Sequence, residues 1–459
     1  MYNILMSIKQ QQKLHLIIFF SAFLFIIIGT YFTIRWAKGY RPTRHGLTKA
    51  TGLLAANSFP KGAQVYINNH LTTATDDTIN LTPGKYHVEI KKDGYHTWQK
   101  DLVIEKELVT QTNATLFPTT PSLTPLTYTG TLNPTPSPDG NKITFAVASA
   151  SAVTKNGLYV QDLSSNPLAL NRSAHQIARN TPQFDFSKAT FTWSPDSSQI
   201  IASFPNKINL LLEADKFNDA SNFKDVTYLL PSIFADWERE IAQTEKTKLK
   251  DFPEFMLKVA TESATNVFVS PNDEKMLYQA TKTIDIPDKL IPPVPAANTQ
   301  PQHRHLEPGN FYVYDAKEDR NFLILPKEEA TTSGQKKIIL KNILAPIPPA
   351  ELDLPLESSS SPLISLQAAT ISQTLHNFST QYSPIYLTNI QWFPDSYHLI
   401  ITTNKSIDIV EYDGTNRTTI YSGPFDPSLV YPWPDGSRII TLIKFSPQTP
   451  PNLYAIKLK

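Results

Sequence analysis

The sequence predicts an all-β chain behind one N-terminal transmembrane helix, with a small β-sandwich followed by a β-propeller that carries helical and proline-rich insertions. Three observations lead there. An apolar run without fixed charge lies near the N-terminus. Short stretches of alternating apolar and polar residues follow it, separated by proline, glycine and asparagine turns. A proline–aspartate corner then recurs five times through the remaining chain.

At 459 residues the chain is long enough for two or three domains. Its 42 basic and 41 acidic residues give a net charge of +1 and no electrostatic footprint for nucleic acid. With no cysteine, disulfides, thiolate metal sites, a Cys nucleophile and a lipid-modified Cys anchor are excluded. The 37 prolines against 15 glycines, with 19 Tyr and 24 Phe, fit strands joined by proline-marked turns.

Residues 1–13 form a short N-terminal tail, and Leu14 to Ile34 the predicted transmembrane helix. The run holds one His near its start and is long enough to span a hydrocarbon layer of about 30 Å. A cleavable signal peptide has a shorter apolar core and a small-residue cleavage site, whereas here Arg35-Trp36-Ala37-Lys38 follows. Residues 35–49 are expected to be a basic juxtamembrane linker. Counted literally, the flanking charges (Lys9 and Lys13 before; Arg35, Lys38, Arg41, Arg44 and Lys49 after) would hold the C-terminal side in the cytoplasm.

Residues 50–118 alternate as a half-buried sheet does. Val65 and Ile67, then Tyr86, Val88 and Ile90, then Trp98, Leu102 and Ile104 mark one apolar face, and 109–116 is expected to close the sheet. Asn68-Asn69, Thr82-Pro83-Gly84 and Asp93-Gly94 supply turns. The segments Pro60-Lys61-Gly62-Ala63-Gln64-Val65-Tyr66-Ile67-Asn68, Leu81-Thr82-Pro83-Gly84-Lys85-Tyr86-His87-Val88 and Asp93-Gly94-Tyr95 resemble the PEGA domain, a small β-sandwich of microbial surface proteins. Lys61 stands where that family usually has glutamate, and Asn69 where it has a turn glycine. The resemblance implies binding or spacing rather than catalysis. The histidines His70, His87 and His96 are expected to face water on the sheet.

After a linker at 119–127, residues 128–459 carry the repeated corner. Its copies are Ser137-Pro138-Asp139-Gly140, Ser194-Pro195-Asp196-Ser197, Ser270-Pro271-Asn272-Asp273, Phe393-Pro394-Asp395-Ser396 and Trp433-Pro434-Asp435-Gly436, each leading into an apolar strand. Proline presets φ for the first corner, and Asp or Asn accepts hydrogen bonds from the next amides. A second strand follows four copies (158–160, 311–314, 407–410 and 453–456), with Asp162, Asp315 and Asp413 in the turn after three of them. Such repeats point to propeller blades, which bury their faces only against neighbours. The corners resemble the WD40-like repeats of the Tol-system periplasmic propeller. With the PEGA-like module, that resemblance implies an extracytoplasmic C-terminal bulk, against the charge count.

The motif prolines lie 57, 76, 123 and 40 residues apart, so the chain could build five, six or seven blades with insertions. Near 233–262, Ile233, Trp237 and Ile241 mark one helical face, and Phe252, Phe255 and Val259 a second short helix. Residues 287–308 are proline-rich and should be stiff, and 330–385 holds Pro346 to Pro349, Ser358 to Ser361 and a helix around 365–378.

No Gly-x-Ser-x-Gly elbow, His-Glu-x-x-His helix or phosphate-binding glycine loop occurs, and no cofactor is expected. His303 and His305 are the one close histidine pair and lack a third ligand. Asp236, Glu238 and Glu240 read as the solvated face of the first inserted helix. The leading expectation is a non-catalytic, single-pass cell-envelope protein that presents a propeller to a cell-wall glycan or an envelope protein. Two alternatives stay open: a propeller hydrolase acting on an envelope polymer, and a surface sensor working through a membrane partner.

Overall fold

The computed structural model describes residues 2–37, 41–43, 46–49, 51–163, 174–330 and 389–459. The segment expected at 330–385, with its helix around 365–378, lies outside the described residues except for Ala330. The chain forms two compact units, one of residues 1–116 with 294–300, the other of 117–293 with 301–459.

The first unit begins with helix α1, Tyr2–Ala37. Its segment His15–Ala37 is long and apolar enough to cross a membrane. In place of a separate tail at 1–13, the helix continues toward the N-terminus, since Gln and Lys extend a helix as readily as apolar residues do. The linker expected at 35–49 contains the strands Arg41–Thr43 and Gly46–Lys49, paired antiparallel. Pro42 presets an extended backbone, and Thr43 and Thr48 favour strands.

The sandwich follows. One antiparallel sheet runs His70–Ala74, Gln64–Ile67, Gly84–Lys91 and Trp98–Ile104 in spatial order. The facing layer pairs Gly52–Ala56 with Asp77–Leu81 and, in parallel, with Val109–Gln111. Residues 109–116 therefore complete the second layer: Ala114–Thr115 runs parallel to Ser58–Phe59. Leu54, Ala56, Val65, Val88, Ile90, Trp98 and Ile104 form a core between the layers. Asn68 and Asn69 both have positive φ (49° and 67°), as the two-residue turn of a tight hairpin needs, so Asn69 fills the glycine position without a glycine.

The second unit contains five four-stranded antiparallel sheets among its described residues. Blade one is Leu132–Pro136, Lys142–Val147, Gly157–Asp162 and His175–Arg179. Blade two is Thr190–Trp193, Gln199–Ser203, Asn209–Glu213 and Lys224–Asp225. Blade three is Ala264–Val269, Lys275–Ala280, Phe311–Asp315 and Arg320–Leu325. Blade four is Ile390–Trp392, His398–Thr402, Ile407–Glu411 and Thr418–Tyr421. Blade five takes Asp426–Pro432, Arg438–Ile443 and Asn452–Lys457 from the end of the chain, and its outer strand is Leu123–Pro125. The linker expected at 119–127 is thus the closing strand. Without it the edge of Asn452–Lys457 would be unpaired.

Blade faces bury one another in cyclic order. Ile177 and Leu158 of blade one pack with Phe191 and Ile200 of blade two. Phe322 and Val313 of blade three meet Leu399 and Val410 of blade four. Ile400 and Ile409 of blade four meet Ile439 and Ile456 of blade five, and Ile440 and Leu453 of blade five return to Ile143 and Phe145 of blade one. Between blades two and three stand helices α2, Leu230–Leu249, and α3, Glu254–Glu262. Leu230, Phe234 and Trp237 cover Ile201 of blade two. Leu249, Met256 and Val259 cover Met276, Tyr278 and Tyr312 of blade three. Ile233 and Ile241, expected on the buried face, sit at the margin of that contact, with Leu230 and Phe234 deeper. Phe252 is buried just before α3 rather than on it.

The proline-rich insertion interrupts blade three between its second and third strands, its base closed by Ile284–Asp285 against His305–Leu306. Arg304 holds that base, donating to the carbonyls of Pro287 (2.6 Å) and Asp319 (2.8 Å) and pairing with the Asp319 carboxylate (2.9 Å).

Candidate functional site: the corner end of the central cavity

All five corners join the first strand of a blade to its second. In each, the residue after the Asp or Asn takes positive φ: Gly140 at 76°, Ser197 and Asp273 at 59°, Ser396 at 61° and Gly436 at 65°. Asp and Asn side chains accept the amide two residues on, which offsets the cost of the left-handed step. Thus Asn141 N donates to Asp139 Oδ1 (3.1 Å), Ser198 N to Asp196 Oδ1 (3.0 Å) and Ser437 N to Asp435 Oδ1 (2.8 Å).

The first three corners share a serine that acts twice. Ser137, Ser194 and Ser270 donate from Oγ to Asp139 (2.5 Å), Asp196 (2.6 Å) and Asn272 (2.7 Å), and each accepts the backbone N–H five residues on at 2.9 Å. In the fourth corner Phe393 replaces serine, and His398 Nδ1 meets Asp395 Oδ2 at 2.7 Å instead. The fifth has Trp433, which lies under the Arg438 guanidinium at 5.0 Å.

Neighbouring corners are stitched together. Asp139 N donates to Ser197 Oγ (3.2 Å) and Asn272 N to Ser396 Oγ (3.0 Å). Two tryptophans span the seams: Trp193 Nε1 donates to Thr135 O (2.9 Å) and Trp392 Nε1 to Phe268 O (3.0 Å).

Burial alone would raise the Asp139 and Asp196 pKa values. Donation from Ser137, Asn141 and Ser197 to the first, and from Ser194 and Ser198 to the second, holds both below the usual carboxylate range. Burial opposes ionisation of Asp395 too, and the charge and hydrogen bond of His398 with two backbone N–H groups overcome it. These carboxylates are fixed anions of the turns.

Where the corners meet, a cavity of about 520 Å³ runs along the first strands. The motif prolines Pro138, Pro271, Pro394 and Pro434 line it with Asp139, Trp392 and Tyr431. Its polar groups are largely engaged by the fold: Gln391 Nε2 donates to Val430 O (2.6 Å) and Ser428 Oγ to Asp426 (2.7 Å). Burial, and then the nearby Asp139 charge, keeps the Tyr431 phenol protonated well above its ordinary range. A Cβ on Gly140 would lie 2.9 Å from the Tyr431 hydroxyl, so a larger residue there would push against that ring. Pro195, Asp196, Asn272, Asp395 and Asp435 belong to the same corner set, but the cavity wall does not include them. Gln391 and Tyr431 were not singled out by the sequence, since neither falls in the repeated corner.

The other predicted positions are framework. Ala63 is fully buried, Gly62 (70°) and Gly94 (82°) sit in left-handed turns, and Pro60 O accepts from Ser58 Oγ. Pro83 precedes the strand that Gly84 opens, and Tyr95 packs against the sandwich core. His87 pairs with Asp101 (2.7 Å), and His305 with Asp285 (2.6 Å). His303 is tied through its backbone to Asn321, and no group of three metal-ligating side chains occurs among the described residues. Asp236, Glu238 and Glu240 are exposed on α2.

Residues 51–120 match the PEGA domain family. No curated protein matches the chain in sequence. Among solved structures the chain is similar to a TolB-like protein of Agrobacterium tumefaciens, at 10% identity and a TM-score of 0.19, over 70% of this chain and 76% of that one. It is also similar to acylaminoacyl peptidase of Pyrococcus horikoshii, at 11% identity and a TM-score of 0.19, over 72% of this chain but only 38% of that one. The chain therefore spans well under half of the peptidase. The chain carries a PEGA-domain match, five blade-like four-stranded sheets among the described residues of its second unit, and one N-terminal helix able to cross a membrane.

Proposed function

We propose that the protein is a single-pass, membrane-anchored binding or scaffold protein of the cell envelope, with its C-terminal bulk outside the cytoplasm. The propeller recognises an envelope protein or a cell-wall glycan and performs no chemistry. The cavity at the corner end carries this reading. Its wall is built of rigid proline rings, Trp392 and Tyr431, the mixture of apolar surface and few fixed polar groups that suits recognition. Asp139, the carboxylate in that wall, is committed to its own turn and held as an anion. General acid–base hydrolysis needs a pair of convergent groups poised near the working pH, and the wall offers no second carboxylate or histidine among the described residues. The PEGA match and the apolar helix support the envelope location.

A photo-crosslinking residue at Ser428, in the cavity wall, tests the proposal in intact cells. The expected product is an adduct to one envelope protein or glycan, abolished by Trp392→Ala. An adduct pattern no different from that of a probe at exposed Asp236 would rule the cavity out as the recognition surface. External protease on intact cells, digesting the propeller while sparing α1, is the expected topology result; full protection would reverse the orientation.

A further inference from the structure

The corner connections and the second-to-third connections of the propeller unit differ in charge. In an antiparallel four-stranded blade, the first-to-second and third-to-fourth connections lie at one end and the others at the opposite end. The corner end carries Asp139, Asp196, Asp273, Glu274, Asp395 and Asp435. At the opposite end, the second-to-third connections of blades one, two, four and five each hold one lysine and no carboxylate: Lys155 in 148–156, Lys207 in 204–208, Lys405 in 403–406 and Lys444 in 444–451. All four lysines are exposed. Blade three departs from the pattern, its long connection carrying both signs.

Large apolar side chains stand out at the same end. Val153 is 82% exposed, Tyr128 77% and Phe445 59%. Their loops touch: Ser149 Oγ donates to Thr129 O (2.6 Å), Gly130 N donates to Asn452 Oδ1 (3.0 Å), and a Cβ on Gly130 would lie 2.9 Å from Pro450. Blades five and one thus share a continuous rim of aromatic, aliphatic and basic tips.

We infer that this end of the propeller rests on an anionic lipid surface, the lysines meeting headgroups while Tyr128, Val153 and Phe445 enter the interface. A soluble polyanion would engage the lysines but leave the apolar tips in water. A bilayer interface takes both, because lysine is drawn to anionic headgroups and aromatic side chains favour the headgroup level. The inference rests on the membrane anchorage proposed above.

With no native cysteine, single-cysteine spin labels report one site each on the full chain. Phe25→Cys, Val153→Cys and Ser198→Cys variants are reconstituted in nanodiscs of phosphatidylcholine, with or without phosphatidylglycerol. The label at 25 should contact lipid-borne nickel in both. The label at 153 should do so only with phosphatidylglycerol, and the label at 198, at the corner end, in neither. Lys405→Gln and Lys444→Gln should each lower the contact at 153 about fivefold. If 153 behaves like 198 while 25 lies in lipid, this inference falls and the anchorage stands; if 25 stays out of lipid, both fall. Immobilisation of 153 by soluble polygalacturonate but not by phosphatidylglycerol would mark a polyanion site and overturn the lipid assignment.

Discussion

Two junctions in the ring bury the same kind of sheet face by different means. Between blades one and two, sheet packs on sheet: Ile177 and Leu158 against Phe191 and Ile200, with Trp193 reaching across to Thr135 O. Between blades two and three the chain inserts α2 and α3, and Phe234 and Met256 supply the apolar surface that a facing strand would have given. A blade needs its faces covered, and ring geometry leaves open whether a strand or a helix does it. A repeat count taken from corners alone therefore undercounts the wedges in the ring.

The largest effect that can break this comparison is on the helical wedge. Phe234→Ala should destabilise the propeller by about 3–5 kcal/mol, because a fully buried ring leaves a cavity. Thermal unfolding of the full chain measures it; a loss below about 1 kcal/mol would mean the helices only decorate the rim. At the sheet-on-sheet seam, Trp193→Phe keeps an aromatic ring but removes the indole N–H bond to Thr135 O, at a cost of about 0.5–1.5 kcal/mol. Trp392→Phe should match it, since its indole bridges blades four and three in the same way.

Protonation separates the two junctions by sign. At the corners of blades one and two, Asp139 and Asp196 have folded pKa values below their unfolded ones. Their stabilisation is present above the ordinary aspartate range, about pH 3.9, and is lost as pH falls through the depressed values. Glu238 is exposed on α2, yet partial dehydration of its carboxylate raises its pKa, so its contribution is full below the ordinary glutamate value and lost as pH rises through the folded one. Melts from pH 3 to 7 should show Asp196→Asn flattening the acid limb and Glu238→Gln stabilising neutral samples by a few tenths of a kcal/mol. The smallest expected change is Asp215→Ala, which removes the partner of Lys142 from the surface at a cost of about 0–1 kcal/mol.

Local chemistry made much of this legible. Pro, Asp and the left-handed residue after them specify a turn within four residues, so the five corners could be read without neighbours. Alternation in Tyr86, Val88 and Ile90 marked the sandwich face for the same reason. Long-range facts were hidden. Leu123–Pro125 is too short to show alternation, and its strand partner lies at the far end of the sequence. Helical periodicity found a face on α2 but could not say that both helices stand between blades. His398 does the work of a missing serine, which becomes visible only once Asp395 is placed beside it. The cavity was the least legible of all, since Gln391 and Tyr431 reach it through the stacking of separate blades.

The pairing of Leu123–Pro125 with Tyr454–Ile456 also sets a timetable. On the ribosome the first strand of the ring emerges early and waits until nearly the whole domain has been made before its partner arrives. During that interval it is an unpaired strand, able to zip onto another nascent chain. A protein built this way gains from chaperoning until residues 452–457 have been made, because their pairing completes that sheet.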